Sequence, residues 1–288
     1  MKEMFDKPMR FAQILETTIQ ITKKHFSKLF LIALIFMGPI ILLQALGELI
    51  GGRGFFVDMN YSQLLDASFE TYEDPMLVTS LPEDITMTII TLLALIFYPI
   101  LSASIILLVK RVKDDEAYTV GELIKKAFTR FWPLLWSTLL LGVIVFGILF
   151  IPTMLIITIG ITTMFADPLA GIGIIIILLL IGFVGFGLLF TRWSFYLPAV
   201  LFDRVAPGLT VSWNLTKGRT WKLFLLYVVF ILITLVVNLV FELSGLLLGA
   251  SVLYGILINI AILLTTLFTT VGGAVMYFDS VTRKDINS

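Results

Sequence analysis

Six long apolar runs, at about 29–50, 85–109, 134–158, 171–197, 223–242 and 251–278, alternate with shorter polar connections along the chain. Each reaches the ~20 residues that a helix needs to cross about 30 Å of hydrocarbon. The runs are continuous and lack the two-residue alternation of a barrel strand, so spanning helices are predicted.

Three polar segments carry a helical period of their own. In residues 8–26, Phe11, Ile14, Leu15, Ile19 and Phe26 recur at helical spacing, with Lys23 and Lys24 near the C-terminal end. Before the third run, Thr119 and Glu122 have the spacing of a capping box, and Val120, Leu123, Ile124, Ala127 and Phe131 form an apolar stripe. Before the fifth run, Pro207 is expected at a first helical position, with Leu209 and Trp213 on one side. All three read as amphipathic helices on the membrane surface. Gly38-Pro39 is expected to kink the first span, and Pro133 to turn the second surface helix into the membrane. Gly171, Gly173, Gly182, Gly185 and Gly187 predict that span four is the most closely packed, since small residues let helices approach in lipid.

The connections also resemble one another. Thr22–Phe30 (T-K-K-H-F-S-K-L-F), Ala127–Leu135 (A-F-T-R-F-W-P-L-L) and Thr216–Phe224 (T-K-G-R-T-W-K-L-F) superpose without gaps at offsets of 105 and 194. Leu15, Val120 and Leu209 then coincide, as do Ile19, Ile124 and Trp213. The expected fold is an all-α integral membrane protein, a single polytopic domain over 1–288. Its six transmembrane helices form three parallel repeats (about 8–109, 117–200 and 205–280), each a cytoplasmic amphipathic surface helix followed by a two-span hairpin.

Composition agrees: 59% of residues are hydrophobic and the mean hydropathy is +1.04, far above a soluble domain. Of the twenty basic residues all but Arg53 fall on the side that holds both termini, which the positive-inside rule makes cytoplasmic. Half of the twenty acidic residues (Glu48, Asp58, Asp66, Glu70, Glu73, Asp74, Glu83, Asp84, Asp167 and Glu242) lie at or beyond the opposite ends. The zero net charge therefore conceals a polarised chain whose basic face suits the anionic headgroups of the cytoplasmic leaflet. Residues 1–28 precede the first apolar run, so no cleavable signal peptide is expected. The cell membrane is the expected location.

Candidate sites fall at both ends of the spans. At the offset of 194, Gln44 aligns with Asn238 and Glu48 with Glu242, an amide and a carboxylate on one helix face in units one and three. These four form a candidate polar site near the outer boundary, either carboxylates snorkelling to headgroups or a convergent ion, proton or lipid site. Asn259 in span six is expected to make an interhelical hydrogen bond. At the inner boundary, Arg192, Trp193, Trp213, Thr216, Gly218, Arg219, Trp221 and Lys222 form a junction of headgroup contacts and interfacial anchors. The acidic outer loop, about 51–84, has a candidate short helix around Tyr61–Phe69 and reads either as a solvated loop without calcium-ligand spacing or as a cation or partner site.

Catalytic chemistry is sparse. With no cysteine and one histidine, His25, expected to face headgroups, thiolate and His-rich metal sites are not expected. No G-x-S-x-G, H-E-x-x-H or Walker A motif occurs, and Asp114-Asp115-Glu116 reads as a solvated turn. No catalytic residue, cofactor, metal or nucleic-acid partner is expected. A protein partner stays open.

The segments Arg192–Val200 (R-W-S-F-Y-L-P-A-V) and Ser212–Phe224 (S-W-N-L-T-K-G-R-T-W-K-L-F) resemble a motif of a bacterial membrane-protein family related to the membrane domain attached to some glycerophosphodiester phosphodiesterases. The matching residues are Arg192, Trp193, Leu197, Pro198, Ala199, Ser212, Trp213, Leu215, Thr216, Gly218, Arg219, Trp221, Leu223 and Phe224. The resemblance implies a six-span fold. The soluble phosphodiesterase barrel is absent, so its activity is not implied. The expected function is non-catalytic handling or organisation of membrane lipids or envelope components. The alternatives are a transporter or flippase using the Glu48 and Glu242 site, and a membrane-embedded enzyme acting on glycerophospholipid.

Overall fold

The computed structural model describes residues 5–56 and 81–287. The possible helix around Tyr61–Phe69 and most of the outer loop lie outside the described residues.

The described chain is all helical. In order, the helices are α1 (Phe11–Lys24), α2 (Phe26–Ile50), α3 (Leu81–Asp114), α4 (Val120–Phe128), α5 (Phe131–Ala166), α6 (Pro168–Trp193), α7 (Tyr196–Phe202), α8 (Leu209–Thr216), α9 (Thr220–Glu242), α10 (Gly245–Leu248) and α11 (Val252–Asn287). Among the described residues six helical segments are long and apolar enough to cross a membrane: Phe26–Ile50, Ile85–Asp114, Phe131–Phe165, Pro168–Phe202, Thr220–Leu248 and Val252–Ile286. Each contains one of the six apolar runs. Pro39, Pro99 and Pro152 sit within α2, α3 and α5, which remain helical through them.

The spans pack as consecutive pairs, α2 with α3, α5 with α6 and α9 with α11, while α11 also packs on α1, α2 and α3. The core lies between α3 and α11, where Ile105, Leu108, Val109, Leu267, Val271 and Val275 are buried along with Leu29 and Ile32 of α2. In α3, 61% of the most apolar stretch is buried within the protein; in α5 and α6 the figure is 0%. This corrects the expectation for span four, which is peripheral. Its glycines do not share one contact face. A Cβ on Gly171 would meet Met164 and one on Gly187 would meet Phe224, whereas Gly173 and Gly185 face open space.

The short helices are held individually. Glu122 N–H donates to Thr119 Oγ1 at 3.3 Å and Thr119 N–H to Glu122 Oε2 at 3.1 Å, the capping box expected for α4. Leu123 and Ala127 are buried on its inner side. In helix α1 the side that packs on the protein is not the predicted stripe as a whole. Ile14, Thr17, Thr18 and Ile21 form its buried face, while Phe11 and Ile19, and Phe26 at the start of α2, are exposed. Two threonines can be buried there because Thr18 Oγ1 donates to Ile14 O at 2.7 Å, and Thr17 Oγ1 is 3.8 Å from Met9 Sδ. Pro207 lies before its helix and not at the first position. Gly208, at φ +75°, is the cap residue and α8 starts at Leu209. That backbone is suited to glycine, and a Cβ there would sit 2.6 Å from the Tyr196 carbonyl oxygen.

At three places a span follows a short helix within one to three residues, and the residue just before the span has a similar backbone conformation each time. His25 has φ −111° and ψ 18°, Arg130 −113° and 19°, and Arg219 −128° and 6°. Each accepts the amide of the residue four positions on: Leu29 at 3.0 Å, Leu134 at 3.0 Å and Leu223 at 3.1 Å. All three leucines are fully buried.

Candidate functional site

The termini-bearing end of the bundle contains the most elaborate polar construction. It begins with Ser212 of α8, which is buried. Its Oγ accepts from Phe195 N–H at 3.0 Å and donates to Arg192 O at 2.7 Å. One hydroxyl thereby satisfies a carbonyl and an amide left over where α6 ends and α7 begins. Thr216, also buried, returns its hydroxyl to Ser212 O at 3.0 Å, and Thr220 Oγ1 donates to Thr216 O at 3.1 Å. Gly218, at φ +78°, supplies the turn between α8 and α9.

This scaffold frames a cavity of about 530 Å³. Leu188, Leu189 and Arg192 line one side, Trp213 a second, and Gly218–Lys222 the third. The Arg192 guanidinium lies 4.3 Å from the centre of the Trp213 ring, a cation–π contact that holds it in place. Neither Arg192 nor Lys222 has an acidic partner among the described residues. Trp213 and Trp221 are both partly exposed, at 37% and 58%. Of the eight predicted junction residues, six line the cavity, Thr216 is buried behind it, and Trp193 is outside the lining.

Arg219 lines the same cavity but is committed elsewhere. Its Nη2 donates to Asp279 Oδ2 at 2.8 Å. The Asp279 side chain is fully buried and also accepts from Arg283 Nε, at 3.2 and 3.0 Å, and from Met9 N–H at 2.7 Å. Arg283 further donates to Met9 O, and Thr282 Oγ1 to Phe5 O at 3.1 Å. One carboxylate thus ties the N-terminal segment, the α8–α9 junction and the end of α11 together. Sequence reasoning did not single out Asp279. The available signal was an acidic residue inside an otherwise basic face.

His25 departs from its predicted setting. Its Nδ1 shares a hydrogen bond of 2.7 Å with Tyr118 Oη, and its Nε2 is buried without a partner among the described residues. Burial, then the charges of Lys24 and Lys28, lower its pKa, while burial raises that of Tyr118. The ammonium of Lys28 lies 4.1 Å from the centre of the Tyr118 ring. Nearby, Glu116 pairs with Arg111, which closes the Asp114–Glu116 turn.

At the opposite end the four predicted polar residues separate. Gln44 Nε2 donates to Glu48 Oε1 at 2.9 Å, and Asn259 Nδ2 of α11 donates to Gln44 Oε1 at 3.1 Å, the interhelical bond expected of Asn259. Glu48 is only 6% exposed. It packs against α11 at Gly255, where a Cβ would stand 3.0 Å from Oε2. Asn238 instead donates to Thr234 O of its own helix at 2.8 Å, and Glu242 is exposed.

These features define a multi-helix membrane protein with its polar junctions gathered at one end. A family model described as Domain of unknown function (DUF7847) matches residues 9–282, and the chain belongs to that family. No curated protein and no solved structure matches the chain.

Proposed function

We propose that the protein is a non-catalytic, multi-pass protein of the cell membrane that holds anionic lipid headgroups of the cytoplasmic leaflet in the junction cavity and so organises membrane lipids. The observation that carries this reading is Arg192, held on Trp213 and facing a cavity shared with Lys222, with neither cation neutralised by an acidic side chain among the described residues. A phosphate suits that pairing, since guanidinium and ammonium groups both hydrogen-bond its oxygens. Trp213 and Trp221 have the amphipathic character of residues at headgroup level.

The orientation rests on charge, because the end that holds both termini also carries every basic residue except Arg53. Three parallel repeats are part of the same proposal. The break residues His25, Arg130 and Arg219 are spaced by the sequence offsets and share one backbone conformation. Leu29, Leu134 and Leu223 at the next turn are all buried, as are Ile32, Ser137 and Leu226. A surface helix, a short break and a two-span hairpin, used three times, account for these coincidences.

The experiment is mass spectrometry of lipids retained by protein purified gently in a mild detergent. Enrichment of anionic phospholipid over zwitterionic lipid, relative to the source membrane, is expected. Retained lipid of the same composition as the membrane contradicts the proposal.

A further inference from the structure

A second cavity system lies between the spans and uses none of the junction cations. Its apolar part is a cleft of about 440 Å³ between α6 and α9, lined by Phe183, Phe186, Phe190, Phe224, Val228 and Ile231 among others. Phe183 and Ile231 are each 51% exposed, so the cleft opens sideways from the bundle. Its polar part is a chamber of about 230 Å³ between α3, α7, α9 and α11. Ser194 and Tyr227 line both spaces and so form the common wall between them, with Ser194 Oγ donating to Thr191 O at 2.8 Å.

The chamber is rich in hydroxyls and has no charged residue in its lining; Tyr98, Ser102, Ser194, Tyr227, Thr269 and Thr270 all contribute. Most serines and threonines in these spans return their hydroxyl to the carbonyl one turn back, as Ser104, Ser137, Thr191 and Thr265 do. Ser102 does not. It is 2% exposed, and its Oγ has no hydrogen-bond partner among the described residues. A buried hydroxyl left unpaired is costly unless something completes it.

We propose that chamber and cleft form one binding site for an uncharged glyceride-type lipid. The hydroxyl or ester head occupies the chamber against Ser102, and one hydrocarbon chain lies in the aromatic cleft. A charged head is disfavoured, because the chamber provides no counter-charge for it in a low-dielectric interior. The cleft falls within the range of small-molecule sites, about 300–1,000 Å³, and the chamber adjoining it is smaller. Entry is sideways from the bilayer, with the head passing the Ser194 and Tyr227 side chains that line both spaces. The site shares no lining residue with the junction cavity, so each can fail without the other.

The test uses the full chain in phosphatidylcholine nanodiscs with two photoactivatable probes of identical acyl chains, a diacylglycerol and a phosphatidic acid. Crosslinks are mapped by peptide mass spectrometry. The diacylglycerol should label residues 183–190 and 224–231 roughly tenfold more than the phosphatidic acid, the ratio set by an uncompensated charge in the chamber. Val228→Trp should abolish that labelling, and Ser102→Ala should reduce it about threefold, on the scale of a single hydrogen bond. The Ser102 variant removes one oxygen atom, so its thermal melting should match the parent and the loss will not be one of folding. Arg192→Gln with Lys222→Gln should leave diacylglycerol labelling unchanged. Equal labelling by both probes, or full labelling of the Ser102 variant, would overturn the proposal.

Discussion

Arg219, the residue that caps the start of α9, donates to Asp279 across 60 residues of sequence, at 2.8 Å. The carboxylate it meets is fully buried and receives Arg283 and the Met9 amide as well. Asp279→Asn removes the charge that neutralises two guanidinium groups while changing little in shape. Breaking a buried pair on one side costs about 3–5 kcal/mol, here discounted because Arg219 and Arg283 keep 20% and 29% exposure. A lowered melting temperature in detergent, with earlier proteolysis of the N-terminal segment, is expected. Because the two residues share one interaction, Arg219→Gln combined with Asp279→Asn should cost less than the sum of the single changes. Strict additivity would contradict the coupling.

His25 gives the fold a pH dependence. Its pKa is lowered in the folded state, so the folded protein binds a proton less readily than the unfolded chain. The neutral form is compatible with the fold above about pH 6.5, the unperturbed value. Stability is then lost as pH falls from there through the lowered folded value. Melting curves between pH 7.5 and about 5 should show a downward shift that His25→Gln largely abolishes. A variant as acid-sensitive as the parent would place the titration elsewhere.

The glycines of α6 should divide into two groups. A Cβ on Gly187 would come 2.3 Å from Phe224 Cε2, so Gly187→Ala should destabilise by about 1–3 kcal/mol through overpacking. Gly185 faces open space, and Gly185→Ala should be neutral or slightly stabilising through helix propensity. Equal effects of the two changes, measured by thermal unfolding, would refute the placement of α6.

The spans were legible because hydropathy over ~20 residues is a local property that needs no partner. The α4 capping box was legible for the same reason, Thr119 and Glu122 being three residues apart. Asp279 was not, because it becomes meaningful only when α11 continues past the apolar run and meets Arg219. The glycine-rich span misled because glycine permits close approach without specifying a neighbour. At Gly173 and Gly185 none arrives. Helix α1 shows a similar limit. Its periodicity marked an apolar stripe, but the side that packs includes Thr17 and Thr18, whose burial depends on local acceptors in Ile14 and Met9.

The outer polar residues should behave unequally despite their matched spacing. Glu48→Leu strips the acceptor from Gln44 within a buried cluster and should cost about 1–3 kcal/mol. Glu242→Leu, at an exposed position, should stay within about 0.5 kcal/mol. Matching losses in detergent unfolding would restore the symmetric, paired-carboxylate site.

The central claim is that the junction cavity holds an anionic headgroup, and native mass spectrometry of the intact protein titrated with phosphatidylglycerol tests it most directly. The parent should bind at least one phosphatidylglycerol with an affinity that falls as salt rises, and phosphatidylcholine much more weakly. Arg192→Gln with Lys222→Gln should weaken the first binding step roughly tenfold, about 1.4 kcal/mol, while leaving the melting temperature unchanged. Undiminished phosphatidylglycerol binding by the double variant, or equal affinity for the two lipids, would contradict the account.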